Sequence, residues 1–214
     1  MMLYDCRSAA DRDRGIAAAI EAAKNGELVV MPTDTLYGIG CDAFSSHAVN
    51  SLFSAKGRGR TPPPVLVGSR HTLNGLVLIL PKAARDLADA FWPGPLTIIV
   101  DHAPSLQWDL GETNGQIAVR QPLHPVALEV LREVGPMAVS AANKVGRAAP
   151  LTAAEAQEQM GYSVRTYLEA GACLDPVPST IVDVTGDVPR MLRAGAVPLE
   201  KLRDVVPDML GQED

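Results

Sequence analysis

The chain has 214 residues, of which 47% are hydrophobic and 21% charged, and its formal net charge is −6 at pH 7. This composition is typical of a folded globular protein rather than a disordered or fibrous one, and the negative charge disfavours non-specific nucleic-acid binding through bulk charge. The cysteines and histidines are dispersed, which indicates a reducing compartment and predicts no metal cluster. The N-terminus lacks the apolar segment of a signal peptide, and the longest apolar run, LNGLVLIL, is too short to span a bilayer. We therefore expect a cytoplasmic protein that does not associate with membranes.

The spacing of apolar residues predicts helices and strands in mixed order along the chain. Ser8 is a predicted N-cap, and Thr152 with Glu155 has the spacing of a capping box. Because the two types of element do not alternate strictly, we predict a mixed α/β (α+β) fold with a mixed sheet flanked by helices, in a single domain over residues 1–214. The predicted helices are 8–24, 45–56, 81–91, 124–135, 152–161 and 198–206, and the predicted strands are 27–31, 64–68, 95–100, 116–120, 136–140, 180–184 and 190–195.

The segment GIGCDA, residues 38–43, matches a G-x-G-x-x-A pattern found in dinucleotide-binding folds. In those folds the first glycine directly follows a strand, and an acidic residue lies about 20 residues further on. Here PTDTLY precedes Gly38, and residues 58–65, RGRTPPPV, contain no acidic side chain. We favour the alternative that Gly38 and Gly40 let a strand bend and pack closely against its neighbours.

The segment KGRGR, residues 56–60, places three cations in five positions after a predicted helix, and TPPPV follows it. Such a segment is either a solvated basic loop or an anion site, in which exposed backbone N–H groups and the cations bind phosphate or carboxylate. The prolines restrict the unfolded chain and favour a preorganised loop. The sequence alone leaves both alternatives open.

Other polar residues lie at the ends of predicted strands. Arg120 ends QIAVR, SAAN (140–143) follows MAV, and the segments STIVD (179–183) and LRAG (192–195) have the same character. Each could be an ordinary turn or a surface ion-pair partner, or it could face a ligand. Together they offer hydroxyls, amides and cations, which suit anion binding rather than covalent catalysis.

Seven of these segments occur in an order that resembles the YrdC/Sua5 family of threonylcarbamoyl-AMP synthases. The resemblance runs from about residue 15 to residue 197 and is to the short form without a further C-terminal domain. The segments are PTDTLYGIGCDA, AKGRGR, FWPGPLT, AVRQPLHPVA, SAAN, STIVDVTG and LRAG.

The resemblance implies a twisted mixed sheet around a concave basic groove, and a nucleotidyltransferase reaction. L-threonine, bicarbonate and ATP, assisted by Mg²⁺, give threonylcarbamoyl-AMP and pyrophosphate for the t6A modification of tRNA. The t6A transferase proteins and tRNA are implied downstream partners. No protein ligand for a metal is implied. The resemblance assigns Lys56 and Arg58 to catalysis and to the ATP phosphates, Thr33, Thr35, Arg120 and Ser179 to L-threonine, and Ser140, Asn143 and Arg193 to ATP.

The chain departs from the family pattern K-x-R-P-x-x-N-P-L-x-x-H and from S-A-N-x-S-G. Pro62 and Val67 stand where the first pattern has asparagine and histidine, and Ala141 and Val145 stand where serines are usual. These departures support an alternative function, a divergent and non-catalytic module of this family that binds RNA or a nucleotide.

Overall fold

The computed structural model describes residues 1–57, 59–173 and 176–212. Its strands are β1 (Met2–Asp5), β2 (Val29–Met31), β3 (Gly38–Asp42), β4 (Val65–Leu66), β5 (Leu96–Asp101), β6 (Gln116–Arg120), β7 (Met137–Ala141), β8 (Thr166–Glu169), β9 (Thr180–Asp183) and β10 (Arg190–Arg193). Its helices are α1 (Ala9–Lys24), α2 (Ser46–Lys56), α3 (His71–Leu76), α4 (Lys82–Phe91), α5 (Pro125–Val134), α6 (Ala153–Met160) and α7 (Leu199–Val205), and a 3₁₀ turn covers Gly161–Ser163.

Across the described residues the strands form one ten-stranded sheet in the order β1-β8-β2-β3-β7-β4-β6-β5-β9-β10. The pairs β1–β8, β2–β8, β4–β6 and β5–β9 are parallel. The pairs β2–β3, β3–β7, β4–β7, β5–β6 and β9–β10 are antiparallel. The sheet is therefore mixed, which confirms the predicted fold class. The extent of a single domain stays a prediction.

Helices pack on both faces of this sheet, and each face has its own apolar cluster. The smaller core cluster joins α1 and α5 to one face, with Ile16, Val130 and Leu168 among its members. The larger core cluster lies on the other face and includes side chains of α2, α4 and α6, such as Leu52 and Leu87. Burial of apolar side chains on both faces stabilises the sheet.

The predicted helices and strands each correspond to an observed element, with small shifts at their ends. Thr152 caps α6 as predicted and accepts a hydrogen bond from the Glu155 backbone N–H, at 3.1 Å. The Glu155 carboxylate, however, accepts from the N–H of Leu151 rather than from that of Thr152. Ser8 precedes α1, but its side chain makes no capping hydrogen bond.

The sequence did not predict β1, β8 or α3. Strand β8 is buried along its whole length, but its sequence TYLE begins and ends on polar residues, which hides the apolar pattern. Strand β1 lies at an edge of the sheet and is partly exposed. Helix α3 spans only six residues and includes Gly75.

Strand β3 confirms the packing interpretation of GIGCDA. A Cβ atom added to Gly38 or to Gly40 would lie 2.7 Å from a methyl group of Val139 on the neighbouring strand β7. A side chain at either position would therefore force the Val139 side chain to move, and this close approach favours glycine.

Candidate functional site

A cavity of about 270 Å³ lies beside the smaller core cluster. Leu66 and Val139 line the cavity and are also members of that cluster. Thr97 and Arg120 face the same side of the sheet, since their neighbours Ile98 and Val119 pack in the larger core cluster and successive strand side chains point to opposite faces. The cavity brings together residues from distant parts of the chain that the sequence had singled out. They are Thr33, Thr35, Arg120, Ser140, Ser179 and Arg193.

The turn that follows β2 forms one wall of this cavity. The Thr33 hydroxyl donates to the Leu36 carbonyl at 2.6 Å and accepts from the backbone N–H groups of Thr35 and Leu36, both at 3.2 Å. Thr33 therefore fixes the turn, whereas the Thr35 hydroxyl accepts a hydrogen bond from Arg120 Nη1 at 2.9 Å. Of the two threonines, Thr35 is the one tied to a charged group of the cavity.

Arg120 ends β6, and its guanidinium is held at three points. Nε donates to the Gly94 carbonyl at 3.0 Å, Nη1 donates to Thr35, and Nη2 donates to Asp34 Oδ1 at 2.5 Å. Arginine carries five N–H donors, so one hydrogen on each terminal nitrogen has no partner among the described residues. Two such donors can bind the two oxygens of a carboxylate or phosphate.

Two of the groups that hold Arg120 were missed by the sequence analysis. Asp34 is 13% exposed and lies between the two predicted threonines, but one carboxylate among hydroxyls gave no signal. The Gly94 carbonyl belongs to the FWPGPLT segment, which had no residue role assigned. The Gly94 N–H donates to the Gln121 carbonyl at 2.9 Å, and this bond ties the segment to the end of β6.

A second guanidinium reaches the cavity from β10. Arg193 Nε and Nη2 donate to the Ser179 carbonyl at 3.1 and 2.7 Å, and Nη2 also donates to the Ser179 hydroxyl. The Ser179 and Thr97 hydroxyls lie 2.8 Å apart. The predicted threonine-side residue Ser179 and the predicted nucleotide-side residue Arg193 are therefore in direct contact.

Gly195 makes this contact possible because it lets the chain after β10 approach Ser179. A Cβ atom at Gly195 would lie 2.3 Å from the Pro178 carbonyl oxygen and 2.6 Å from the Ser179 carbonyl carbon. Since no real Cβ contact is that short, any side chain at this position requires the backbone to move.

Burial and neighbouring charges shift the pKa values of the two guanidinium groups that line the cavity. Desolvation lowers the pKa of the Arg120 guanidinium, the Asp34 carboxylate raises that pKa, and the charge of Arg193 lowers it again. Desolvation also lowers the pKa of Arg193. The two like charges are thus close enough to interact, and Asp34 is the carboxylate that offsets the charge of Arg120.

Lys56 lies away from the cavity wall and is buried, with 4% of its surface exposed. Its ammonium donates to the Ala141 carbonyl at 2.5 Å and to both oxygens of Asn143. Lys56 is the last residue of α2, in agreement with the predicted helix 45–56, and it holds the loop after β7. Its assignment to catalysis and to the ATP phosphates stays a prediction.

Asn143 is oriented by that loop. Its amide nitrogen donates to the carbonyls of Lys144 and Arg147, at 3.2 and 2.6 Å, and it does not line the cavity. Ser140 and Ala141 of the same segment do line it. The SAAN segment therefore contributes its first part to the cavity wall, while Asn143 fixes the chain that follows.

The other two cations of KGRGR are Arg58 and Arg60. Arg58 lies outside the described residues. Arg60 forms an ion pair with Asp109 and donates a hydrogen bond to the Asn50 side-chain oxygen, and its guanidinium lies 5.7 Å from the centre of the Phe53 ring. The cation at residue 60 is thus engaged within the protein.

Val67 and Val145 stand at positions where the family pattern has polar residues, and they differ in burial. Val67, at the position where the pattern has histidine, is fully buried in the larger core cluster. Its side chain packs in the core and does not line the cavity. Val145, at a serine position, is 63% exposed. Neither residue faces the cavity, whereas Ala141 does.

The described ranges contain neither a cluster of potential metal ligands nor a helix that could span a membrane. Within residues 1–57, 59–173 and 176–212, no group of three or more His, Cys, Asp or Glu side chains could hold a metal ion. Over the same ranges, each helix is too short or too polar to cross a bilayer.

Known proteins match this chain along most of its length. A model of the Sua5/YciO/YrdC family, described as telomere recombination, matches residues 21–195. A putative threonylcarbamoyl-AMP synthase of Mycobacterium tuberculosis is 56% identical over 204 residues, which are 95% of this chain and 94% of that protein. A Mycobacterium leprae protein of the same name is 54% identical over 205 residues, 95% of this chain and 93% of the relative.

Solved structures agree with the sequence matches. The crystal structure of Pyrococcus abyssi Sua5 complexed with L-threonine superposes with a TM-score of 0.90 at 31% identity, covering 99% of this chain. This chain spans 62% of that longer one. E. coli YciO shares the fold, with a TM-score of 0.79 at 21% identity over 94% of this chain and 97% of its own. The chain therefore belongs to the Sua5/YciO/YrdC family.

Proposed function

We propose that this protein is an L-threonylcarbamoyladenylate synthase, a nucleotidyltransferase that makes threonylcarbamoyl-AMP and pyrophosphate from L-threonine, bicarbonate and ATP. The observation that carries the proposal is Arg120, whose guanidinium is fixed at three points with two donors left. A planar fork of this kind matches the carboxylate of an amino acid. The relatives named as putative threonylcarbamoyl-AMP synthases, and the related structure with bound L-threonine, support the same assignment.

The reaction needs two bond-forming steps. The threonine amine attacks bicarbonate-derived CO₂, loses a proton and gives a carbamate. A carbamate oxygen then attacks the α-phosphorus of ATP, and the bond to the leaving pyrophosphate breaks. Both reactants are anions, so the protein contributes chiefly by holding them in line and offsetting their charge.

The cavity residues divide between the two substrates. Arg120 binds the threonine carboxylate, with the hydroxyls of the PTDTLYG turn and Ser179 around it. Arg193 offers its remaining terminal nitrogen to the nucleotide, and Lys56 acts through the loop that it holds. The proposed threonine residues are Thr33, Thr35, Arg120 and Ser179, and the proposed ATP residues are Lys56, Arg58, Ser140, Asn143 and Arg193.

Mg²⁺ enters this proposal as the companion of ATP. The described residues supply no carboxylate cluster for it, and Mg²⁺ commonly binds through substrate phosphates. The cytoplasm is the proposed compartment, and t6A transferase proteins and tRNA are the proposed recipients downstream. A mixed carbamic–phosphoric anhydride hydrolyses readily, so the product needs an acceptor close by.

Pyrophosphate release by the purified protein tests the function. The assay contains ATP, Mg²⁺ and bicarbonate, with and without L-threonine, with L-serine as comparison and a bicarbonate-depleted control. We expect release that requires both threonine and bicarbonate. A folded protein that binds ATP or RNA but releases no pyrophosphate would contradict the proposal and favour the non-catalytic binding module. Salt-sensitive RNA binding without turnover is the signature of that alternative.

A further inference from the structure

Asp34 is a largely buried carboxylate beside the Arg120 guanidinium, and the proposed reaction assigns it no role. Its Oδ1 accepts from Arg120 Nη2 at 2.5 Å and from the Leu123 backbone N–H at 2.9 Å. The side chains of Asp34 and Arg120 are 13% and 7% exposed. Asp34 is absent from the cavity wall that Arg120 lines. It therefore contacts the guanidinium without being part of the cavity wall.

The charges around Arg120 explain why a carboxylate is needed there. A buried guanidinium loses its hydration, and Arg193 adds a second positive charge across the cavity. Like charges in a site of low polarity repel each other strongly. Asp34 is the carboxylate that acts on Arg120, through a charge-assisted hydrogen bond and through its charge. Without it, the guanidinium would be driven towards solvent or towards another acceptor.

The hydrogen bonds of Arg120 also indicate that Asp34 fixes the orientation of its guanidinium. The Gly94 carbonyl and the Thr35 hydroxyl hold Nε and Nη1, but only the bond to Asp34 holds Nη2 within the described residues. The Leu123 N–H in turn fixes the carboxylate. Three fixed points define the plane of the guanidinium, so the remaining hydrogens of Nη1 and Nη2 keep one direction.

We propose that Asp34 is a positioning residue for substrate binding, which orients Arg120 so that its two remaining N–H donors face the cavity and bind the carboxylate of the amino-acid substrate. This inference rests on the proposed function for the identity of that substrate. The second oxygen, Oδ2, is buried without a hydrogen-bond partner in the part of the chain that is described. The contacts of this carboxylate are therefore made through Oδ1.

The experiment compares Asp34→Asn with the wild-type protein. Asparagine keeps the size and the Oδ1 acceptor for Leu123 but removes the charge. We expect the KM for L-threonine to rise about tenfold or more, which is about 1.4 kcal/mol of binding free energy, while the KM for ATP changes less than about twofold. Asp34→Glu restores the charge and is expected to recover part of the threonine affinity. Thermal melts establish that each variant is folded.

Asp89→Asn is the matched control, because Asp89 also pairs with an arginine, Arg70 at 2.8 Å, but both side chains are about half exposed and lie outside the cavity. Its kinetic constants are expected to match those of the wild type. Should Asp34→Asn fail to fold, Asp34→Glu carries the test, with a raised threonine KM and an unchanged ATP KM expected.

Two results overturn the proposal. The first is an unchanged threonine KM in a folded Asp34→Asn variant, or in Asp34→Glu where Asp34→Asn does not fold. The second is an equal change in both KM values of Asp34→Asn with a lower melting temperature, which indicates a structural role only. Failure of the proposed function looks different, since the wild type itself would then release no pyrophosphate with threonine. In that case calorimetric titration of L-threonine into wild type and Asp34→Asn still decides the role of Asp34. Equal affinity, or binding by neither protein, rejects it.

Discussion

Arg120 and Arg193 line the same cavity, but the protein holds them in different ways. Arg120 is buried and bonded to a carboxylate, a hydroxyl and a carbonyl from three separate segments. Arg193 lies on the partly exposed edge strand β10 and, in the part of the chain that is described, is bonded to one residue, Ser179. A fixed, desolvated guanidinium discriminates between ligands by geometry. A more exposed one contributes charge and can adjust its position. The difference suggests a small substrate at the Arg120 end and a larger, more mobile one at the Arg193 end.

Removal of Arg120 should have the largest effect. We expect Arg120→Ala to raise the KM for L-threonine about 100-fold or more, with a much smaller change for ATP, because a charge-assisted bidentate contact is lost. The variant also leaves Asp34 buried without its partner, which costs about 3–5 kcal/mol of stability. Steady-state kinetics with each substrate varied, together with urea unfolding, measure both effects.

The double variant Arg120→Ala/Asp34→Asn separates those two effects. It removes both charges and should recover most of the lost stability without recovering threonine affinity. A larger effect of Arg120→Ala on ATP than on threonine would reverse the assignment of the two ends of the cavity.

Substitution of Gly195 tests the Arg193 end through the backbone. The Cβ of Gly195→Ala would lie 2.3 Å from the Pro178 carbonyl oxygen, so the chain must shift and Ser179 must move with it. We expect a loss of about 1–3 kcal/mol of stability and about tenfold lower turnover. The control is Gly186→Ala, since nothing lies within 4 Å of the added Cβ there. Equal behaviour of the two variants would contradict the role given to this close approach.

Arg193→Ala should have a smaller effect than Arg120→Ala or Gly195→Ala. Because the side chain is partly solvated and, among the described residues, bonds only to Ser179, we expect the KM for ATP to rise about three- to tenfold and the threonine KM to change less. High salt should reduce this difference from the wild type, whereas the effect of Arg120→Ala should persist, because buried charges are screened much less. Kinetics at about 0.05 and 0.5 M salt measure the contrast, with Arg165→Ala as a control outside the cavity.

The smallest expected effect is the dependence of folding stability on pH that His124 causes near Asp34 and Arg120. Burial lowers the pKa of His124 below its usual 6.5, against the opposing charge of Asp34. The unfolded chain then binds more protons than the folded protein just below pH 6.5, so stability falls as the pH drops through that window and is complete above it. The contribution of His124 to the slope is at most about 1.4 kcal/mol per pH unit. Urea unfolding between about pH 5 and pH 8 should show a flatter profile for His124→Gln, and an identical profile would refute this assignment.

The secondary structure was largely predictable, and the misses have a common reason. Helices such as α1 and α5 carry an apolar face at helical spacing, and their capping and proline signals lie within a few residues. Strand β8 is buried by neighbours on both sides, so its polar ends, Thr166 and Glu169, are satisfied only in the folded sheet. A pattern that depends on neighbouring strands cannot be recognised from the strand alone.

The site was predictable as a set of residues but not as an arrangement. The order of motifs singled out Thr35, Arg120, Ser179 and Arg193, and the fold brings them to one cavity. Nothing in the sequence indicated that Lys56 would be buried against the loop after β7, because its acceptors are mainly backbone carbonyls. Carbonyls are present at every residue and leave no signature in a sequence.

The sequence by itself determined the mixed fold class, most element positions and the family to which the chain belongs, because these follow from local periodicity and from motifs in a fixed order. Only the tertiary structure decided which groups meet. Asp34 and Arg120 lie 86 positions apart, and they meet because the fold brings the turn after β2 against the last residue of β6. A buried ion pair forms where the fold removes both charges from water, and burial is a property of the packed chain, not of either residue.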